Sequence, residues 1–128
     1  GLAIPGASKA RQNPLPAAPE AIAAGLEHLA RYCTICHANN GSGDDTPLGH
    51  GLFPKPPDLR ADTTQDLSDG ELLYIIINGV RFTGMPAFGT GTEDAAGERL
   101  AWQLVHFVRH LPRITPEEIA QMESLNPL

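Results

Sequence analysis

The sequence predicts an all-α domain. Three segments carry apolar residues in alternating steps of three and four, which is the spacing of one helix face, and capping residues, proline or glycine mark their ends. No segment combines strand-like alternation with the turn residues of a β-hairpin. A chain of 128 residues is long enough for one domain. We predict a proline- and alanine-rich tail or linker over residues 1–18 and the domain itself over residues 19–128.

The first predicted helix begins at Pro19, because proline suits the first turn of a helix. In steps of four, three, four and three, one face of this helix carries Ile22, Leu26, Leu29, Cys33 and Cys36. The following stretch, 38–66, is rich in glycine and proline. A loop of this length in a compact domain is usually functional or wraps a ligand, so we expect it to border a site.

The second predicted helix is bounded by clear signals. A capping box formed by Ser68 and Glu71 begins it, and Gly79 ends it. The run of three isoleucines at 75–77 would also suit a strand. The end signals favour a helix over this segment.

The third and fourth predicted helices lie in the C-terminal third of the chain. The third runs from about Glu93 to Leu111 and is ended by Pro112. The fourth is short and reaches about Leu125 from a capping box that begins at Thr115. The predicted architecture is therefore three main helices plus a short C-terminal helix, with long loops.

Composition limits the possible functions. Nine basic and fifteen acidic residues give a net charge of −6 without a basic cluster, which argues against nucleic acid as a partner. No apolar run reaches the roughly 18–20 residues that span a bilayer, so we expect a soluble chain. The aromatic content of 5% is low, and a bound apolar group would help to fill the core.

The motif that carries chemistry is Cys33-Thr34-Ile35-Cys36-His37. C-x-x-C-H is the sequence through which haem is attached covalently. Two thiols three residues apart can each form a thioether with one porphyrin vinyl group. The histidine that follows can then offer a ring nitrogen to the iron. We therefore predict one covalently bound haem c, with Cys33, Cys36 and His37 as cofactor-binding residues and His37 as an iron ligand.

Other readings of the two cysteines fit the sequence less well. A structural zinc site needs four ligands, and beyond the motif only the histidine pair His106 and His110 has helical spacing. Thiol–disulfide exchange sites of this type occur in βαβ units, which the pattern does not predict. A disulfide between adjacent turns closes a very short loop and has little entropic benefit.

These features together resemble class I monohaem cytochromes c of the bacterial type. The resemblance covers about residues 17–113 and rests on three blocks in the family's order: residues 25–37, residues 68–80, and residues 84–89 with the helix that follows. It implies that Gly25 and Leu29 meet an aromatic residue of the last main helix, which we identify as Phe107. The glycine would let the two helices cross closely.

The resemblance also implies a second axial ligand. Met85, in the sequence Gly84-Met85-Pro86, matches the family's distal methionine. A thioether suits low-spin iron, and methionine with histidine raises the reduction potential. The competing candidates are Met122 and His50. We predict a packing role for Met122 in the terminal helix, and His50 lies in the glycine-rich loop.

Further residues are candidates for the surroundings of the haem. The family uses a proline carbonyl against the second ring nitrogen of the ligating histidine, and Pro54, Pro56 and Pro57 are the three candidates here. Arg60, Arg81 and Trp102 are candidates for contact with the haem propionates, and Leu73 and Tyr74 for its lining.

We expect electron transfer rather than enzymatic catalysis. The chain would act as a periplasmic shuttle, or as the soluble head of a membrane-tethered or multi-subunit redox complex, with the N-terminal tail as a possible tether. Redox partners with a basic docking face would suit the negative charge. The alternative is a haem enzyme or a gas or peroxide sensor in which Met85 is displaced from the iron.

Overall fold

The structure is a computed structural model, and it describes residues 4–33, 37–43, 46, 57–79 and 95–126. Within these ranges the regular structure is helical and contains no strand, which confirms the predicted all-α class. In chain order the helices are α1 (Gly6–Lys9), α2 (Pro19–Tyr32), α3 (Asp62–Gln65), α4 (Asp69–Asn78), α5 (Ala95–His110) and α6 (Pro116–Leu125), with a 3₁₀ turn at Leu111–Arg113 between the last two.

The capping residues of α4 and α6 are those the sequence predicts. The Ser68 hydroxyl accepts from the Glu71 amide at 3.1 Å, while the Glu71 carboxylate accepts from the Ser68 amide at 2.9 Å. Thr115 makes the same reciprocal pair at the start of α6. Gly79 ends α4 with a φ of 69°, a left-handed value that costs glycine no steric strain. Local sequence therefore determines both helix starts and the end of α4.

Among the described residues, helices α2 and α5 make the most extensive contact, and they cross at Gly25. A Cβ atom at Gly25 would overlap the backbone carbonyl oxygen of Gln103 and lie 2.7 Å from Cβ of Phe107. Phe107 is completely buried. The crossing therefore requires a residue without a side chain at position 25, and the predicted meeting of Gly25 with Phe107 is confirmed.

The hydrophobic core lies between α2, α4, α5 and α6. Met122 on α6 is completely buried, which confirms its predicted packing role. The side chains of the core are Leu26, Leu29, Ala30, Leu72, Leu73, Ala101, Trp102, Leu104, Val105, Phe107, Val108, Leu111 and Met122.

Two one-turn helices, α1 and α3, were not predicted, because four residues are too few to show a helical period. Helix α1 packs on the start of α4, where Gly70 is buried. A Cβ atom at Gly70 would meet the carbonyl oxygens of Ser8, Lys9 and Arg11. Gly70 thus allows the N-terminal backbone to lie directly against α4.

The residues between α1 and α2 continue along the surface of α5. The Asn13 side chain donates to the Trp102 carbonyl at 3.0 Å, and the His106 ring is hydrogen-bonded to the Leu15 carbonyl at 2.7 Å. Arg11 pairs with Glu98 and lies over the Trp102 ring. We call residues 4–18 the N-terminal arm. Its division from the domain at residue 18 stays a prediction.

No helix in the described parts of the chain is both long and apolar enough to cross a membrane.

Candidate functional site

The start of the C-x-x-C-H motif continues the hydrogen bonding of α2. The Cys33 amide donates to the Leu29 carbonyl at 2.9 Å, and the His37 amide donates to the Cys33 carbonyl, also at 2.9 Å. Each bond joins an amide to the carbonyl four residues before it, which is the α-helical spacing, so the His37 backbone is bonded directly to that of Cys33. Cys36 lies outside the described residues, and its role stays a prediction.

The His37 side chain is in a chemical state suited to metal ligation. Only 9% of the residue is exposed, and burial lowers the pKa of the ring because it disfavours the charged form. The carbonyl of Pro57 acts in the opposite direction and raises this pKa, but its effect is smaller. A neutral imidazole with a free lone pair is the form that binds a metal.

The Nδ1 atom of His37 is buried and, among the described residues, has no partner in full hydrogen-bond geometry. A buried ring nitrogen in this state fits a histidine whose surroundings are completed by a bound cofactor. Of the three proline candidates, Pro57 lies in the described part of the chain, and its backbone acts on the ring. Pro54 and Pro56 lie outside it.

A tight turn follows His37. Ala38 has a φ of 66°, unusual for a residue with a side chain, and Gly41 has a φ of 78°. The Gly43 amide donates to the His37 carbonyl at 2.8 Å, and the Leu59 amide donates to the Gly41 carbonyl at 2.8 Å. The backbone beside the ligand candidate is therefore tied to residues about twenty positions later.

The residues that the sequence suggests for contact with the haem differ in burial and in their bonding partners. Arg60 is bound to Asp58 through Nε at 3.0 Å, and Trp102 is only 2% exposed within the core. Leu73 is buried in the same core, and Tyr74 is half-buried. The remaining candidates lie outside the described residues: Met85, His50 and Arg81.

Each of the other histidines in the described part of the chain has a contact with a neighbouring residue. His106 is bonded to the Leu15 carbonyl, and His110 lies 2.8 Å from a Glu118 carboxylate oxygen. His28 stacks on Tyr32. The structure groups no three His, Cys, Asp or Glu side chains as a metal site within the ranges it describes.

Two polar residues near the site were missed by sequence analysis. Gln65 donates through Nε2 to the Leu59 carbonyl at 2.7 Å and to the Val108 carbonyl at 2.9 Å. Arg109 donates to the backbone carbonyls of Gln65 and Leu67. Neither residue belongs to a motif, and both bind backbone groups that are distant in sequence. The only available signal was Pro112, which deprives the Val108 carbonyl of its helical donor.

Comparison with known proteins connects this geometry to a family. Residues 20–108, more than half of the chain, match the family model described as cytochrome c oxidase, cbb3-type, subunit III. A search of curated proteins found no significant match.

One similar solved structure is a chain of the reducing HAO-like protein complex of Kuenenia stuttgartiensis. It is 27% identical, with a TM-score of 0.63, over 77% of the present chain. The match covers only 46% of that longer chain.

The matched range includes Cys33, His37 and the crossing of α2 with α5. The chain belongs to the cytochrome c family described as cytochrome c oxidase, cbb3-type, subunit III, and a cytochrome c domain implies haem c as its cofactor.

Proposed function

We propose that the protein is a class I, monohaem cytochrome c of the bacterial type that transfers electrons through a single covalently attached haem c. The observation that carries this proposal is the His37 imidazole, which is buried, has a lowered pKa and belongs to a residue whose amide donates to the Cys33 carbonyl. A buried neutral imidazole beside a thiol in a C-x-x-C-H motif suits an axial ligand of a c-type haem.

Each residue of the proposed site has a distinct task. The Cys33 and Cys36 thiols would hold the haem covalently, each through one thioether to a vinyl group. His37 and Met85 would hold the iron, through an imidazole nitrogen and a thioether sulfur. The Pro57 carbonyl lies near the His37 ring and would orient it. The haem supplies the one-electron chemistry.

We assign the chain the role of an electron carrier, not of an enzyme. If His37 and Met85 together hold the iron, no substrate would bind it, and an electron would pass without bond rearrangement. The similar chain of the HAO-like protein complex supports a place within a multi-protein redox assembly. A free periplasmic shuttle and the soluble head of a membrane-tethered complex, held through the N-terminal arm, are the two settings proposed.

The net charge of −6 favours a redox partner with a basic docking face. Opposite charges accelerate encounter, and salt screens this attraction. We expect the association rate with the physiological partner to fall as ionic strength rises. A rate that does not change with salt would contradict electrostatic docking.

Absorption spectra of the purified protein test the ligation. We expect low-spin bands in both redox states, a methionine–iron charge-transfer band in the ferric form, and no change when carbon monoxide is added to the ferrous form. Met85→Ala should abolish the charge-transfer band and allow carbon monoxide to bind. Met122→Leu is the matched control, because Met122 is buried in the core and should leave both properties unchanged.

Attachment is tested separately by denaturation in acid acetone, which extracts haem that is not covalently bound. Haem should stay with the wild-type chain, and the double variant Cys33→Ala, Cys36→Ala should release it. A high-spin ferric spectrum or ready binding of carbon monoxide by the wild type would instead support a haem enzyme or a sensor. Absence of haem after expression in a haem-attaching host would contradict the whole proposal.

A further inference from the structure

We propose that Gln65 is a positioning residue for His37, acting through the segment 57–59. This inference rests on the proposed function, because it concerns the ligand that His37 would provide to the haem. The Gln65 amide nitrogen donates to the Leu59 carbonyl at 2.7 Å, only two residues after Pro57. It thereby connects the backbone beside the imidazole to the last main helix.

The second bond of Gln65 explains why this side chain has a fixed place. In an uninterrupted helix the Val108 carbonyl would accept from the amide of residue 112, but Pro112 has no N–H group. Nε2 of Gln65 lies 2.9 Å from this carbonyl oxygen and satisfies it. Both Nε2 protons of Gln65 are thus used, one by the end of α5 and one by Leu59.

The backbone of Gln65 is held as well. Arg109 Nη1 donates to the Gln65 carbonyl at 2.7 Å, and its Nε donates to Asp69 at 3.0 Å. Gln65 is therefore fixed by α5 through both its backbone and its side chain. A side chain with this little freedom can transmit the position of α5 to the segment it binds.

The path from Leu59 to His37 is short. The Leu59 amide donates to the Gly41 carbonyl at 2.8 Å, and the turn containing Gly41 closes with the bond from the Gly43 amide to the His37 carbonyl. Gly41 also lies against the buried Leu111 side chain. Leu59 is consequently held from both sides, by the turn after His37 and by Gln65.

Pro57 would connect this chain of hydrogen bonds to the imidazole of His37, the proposed iron ligand. The Pro57 carbonyl lies near the His37 ring, and if one ring nitrogen binds iron, a hydrogen bond from the other nitrogen to this carbonyl would make the ligand more basic. A more basic ligand favours ferric over ferrous iron. Release of the segment 57–59 from Gln65 should therefore raise the reduction potential.

Gln65→Met tests the proposal, because methionine has a similar length and cannot donate. We expect the holoprotein to keep its haem content, to show a higher reduction potential, and to show shifted NMR signals of the His37 ring. Thr63→Ala is the matched control on the same short helix, because Thr63 is exposed and outside the network. Arg11→Ala controls for general destabilisation, since Arg11 binds the opposite end of α5.

A folded Gln65→Met protein with wild-type potential and wild-type His37 signals would overturn the proposal, even if its stability had fallen. If this variant does not fold, the wild-type holoprotein decides the matter. Both Nε2 protons of Gln65 should be protected from exchange with solvent, and rapid exchange would overturn the proposal. Absence of haem from the wild type would contradict the proposed function instead, because the Gln65 protons are observed independently of the cofactor.

Discussion

The crossing of α2 with α5 and the turn that follows His37 are held by different forces. At the crossing, Gly25 meets Phe107 in direct van der Waals contact within the core. The turn is held by backbone and side-chain hydrogen bonds that reach Leu59, Gln65 and α5. Apolar packing is strong and non-directional, whereas hydrogen bonds specify direction. We infer that the crossing mainly supplies stability and that the turn mainly supplies the position of the ligand.

The largest effect is expected from Phe107→Ala. Phe107 is completely buried, and removing its ring would leave a cavity in the core, at a cost of about 3–5 kcal/mol. Denaturant unfolding of the holoprotein measures the change. Tyr32→Ala is the control, because Tyr32 is 60% exposed and its loss should change stability by less than about 1 kcal/mol. Equal losses for the two variants would refute the assignment of stability to the crossing.

The second largest effect on stability is expected from Arg109, whose hydrogen bonds hold the segment around Gln65. Arg109→Met would remove hydrogen bonds to two backbone carbonyls and the ion pair with Asp69, and we expect a loss of about 1.5–3 kcal/mol. Arg99→Met, an exposed position on the same helix, should have little effect. Unfolding curves of both variants provide the measurement. An Arg109→Met protein as stable as the wild type would show that the hydrogen bonds and ion pair of Arg109 do not contribute to folding stability.

A smaller loss is expected from Gly25→Ala. The added methyl group would overlap the Gln103 carbonyl and crowd Phe107, so the two helices must separate, at about 1–3 kcal/mol. Gly6→Ala provides a matched control, because a Cβ atom there meets nothing within 4 Å. Thermal unfolding of the two variants should differ clearly. A neutral Gly25→Ala would mean that the close approach at the crossing is not required.

The smallest effect is a dependence on pH in α6, which packs on α2. Burial raises the pKa of Glu118, but hydrogen bonds from His110 and Thr115 outweigh it and hold the pKa below the ordinary 4.5. Below pH 4.5 the unfolded chain therefore binds more protons than the folded one, and stability rises with pH until about 4.5. The contribution, about 1 kcal/mol or less, is lost as pH falls through the folded pKa.

Unfolding measured between pH 3 and 7 tests this, and Glu118→Gln should flatten the lower part of the stability profile relative to the wild type. The control is Glu117→Gln, a neighbouring exposed residue in the first turn of α6. A profile of Glu118→Gln that parallels the wild type throughout would contradict the assignment.

The two regions also differ in how far the sequence predicts them. The resemblance to class I cytochromes c predicts the crossing at Gly25, and the starts of α4 and α6 follow from capping boxes, which are local patterns. The turn depends on bonds between positions far apart, such as Gln65 with Leu59 and Val108, and no local pattern specifies these. The motif identified His37 and its neighbourhood, while the residues that hold the neighbourhood in place required the structure.

The arm illustrates the same limit. A stretch rich in proline and alanine has no period from which a contact can be predicted. Nevertheless, the Asn13 side chain donates to the Trp102 carbonyl of α5, and the Leu15 carbonyl is bonded to the His106 ring. Buried Gly70 lies within the capping box of α4, and its lack of a side chain allows the arm to lie against this helix. Tertiary packing determines where two stretches of backbone come close together. The only sign of such a contact in the sequence here is the glycine.

The Ser68 hydroxyl serves two structures at once. It accepts from the Glu71 amide to cap α4, and it donates to the Lys9 carbonyl of the arm at 2.9 Å. Undocking of the arm therefore weakens the first turn of α4, and fraying of that turn releases the arm. The two segments should open as one cooperative unit in native-state hydrogen exchange, with the amide of Glu71 reporting on the opening of residues that precede it by sixty positions.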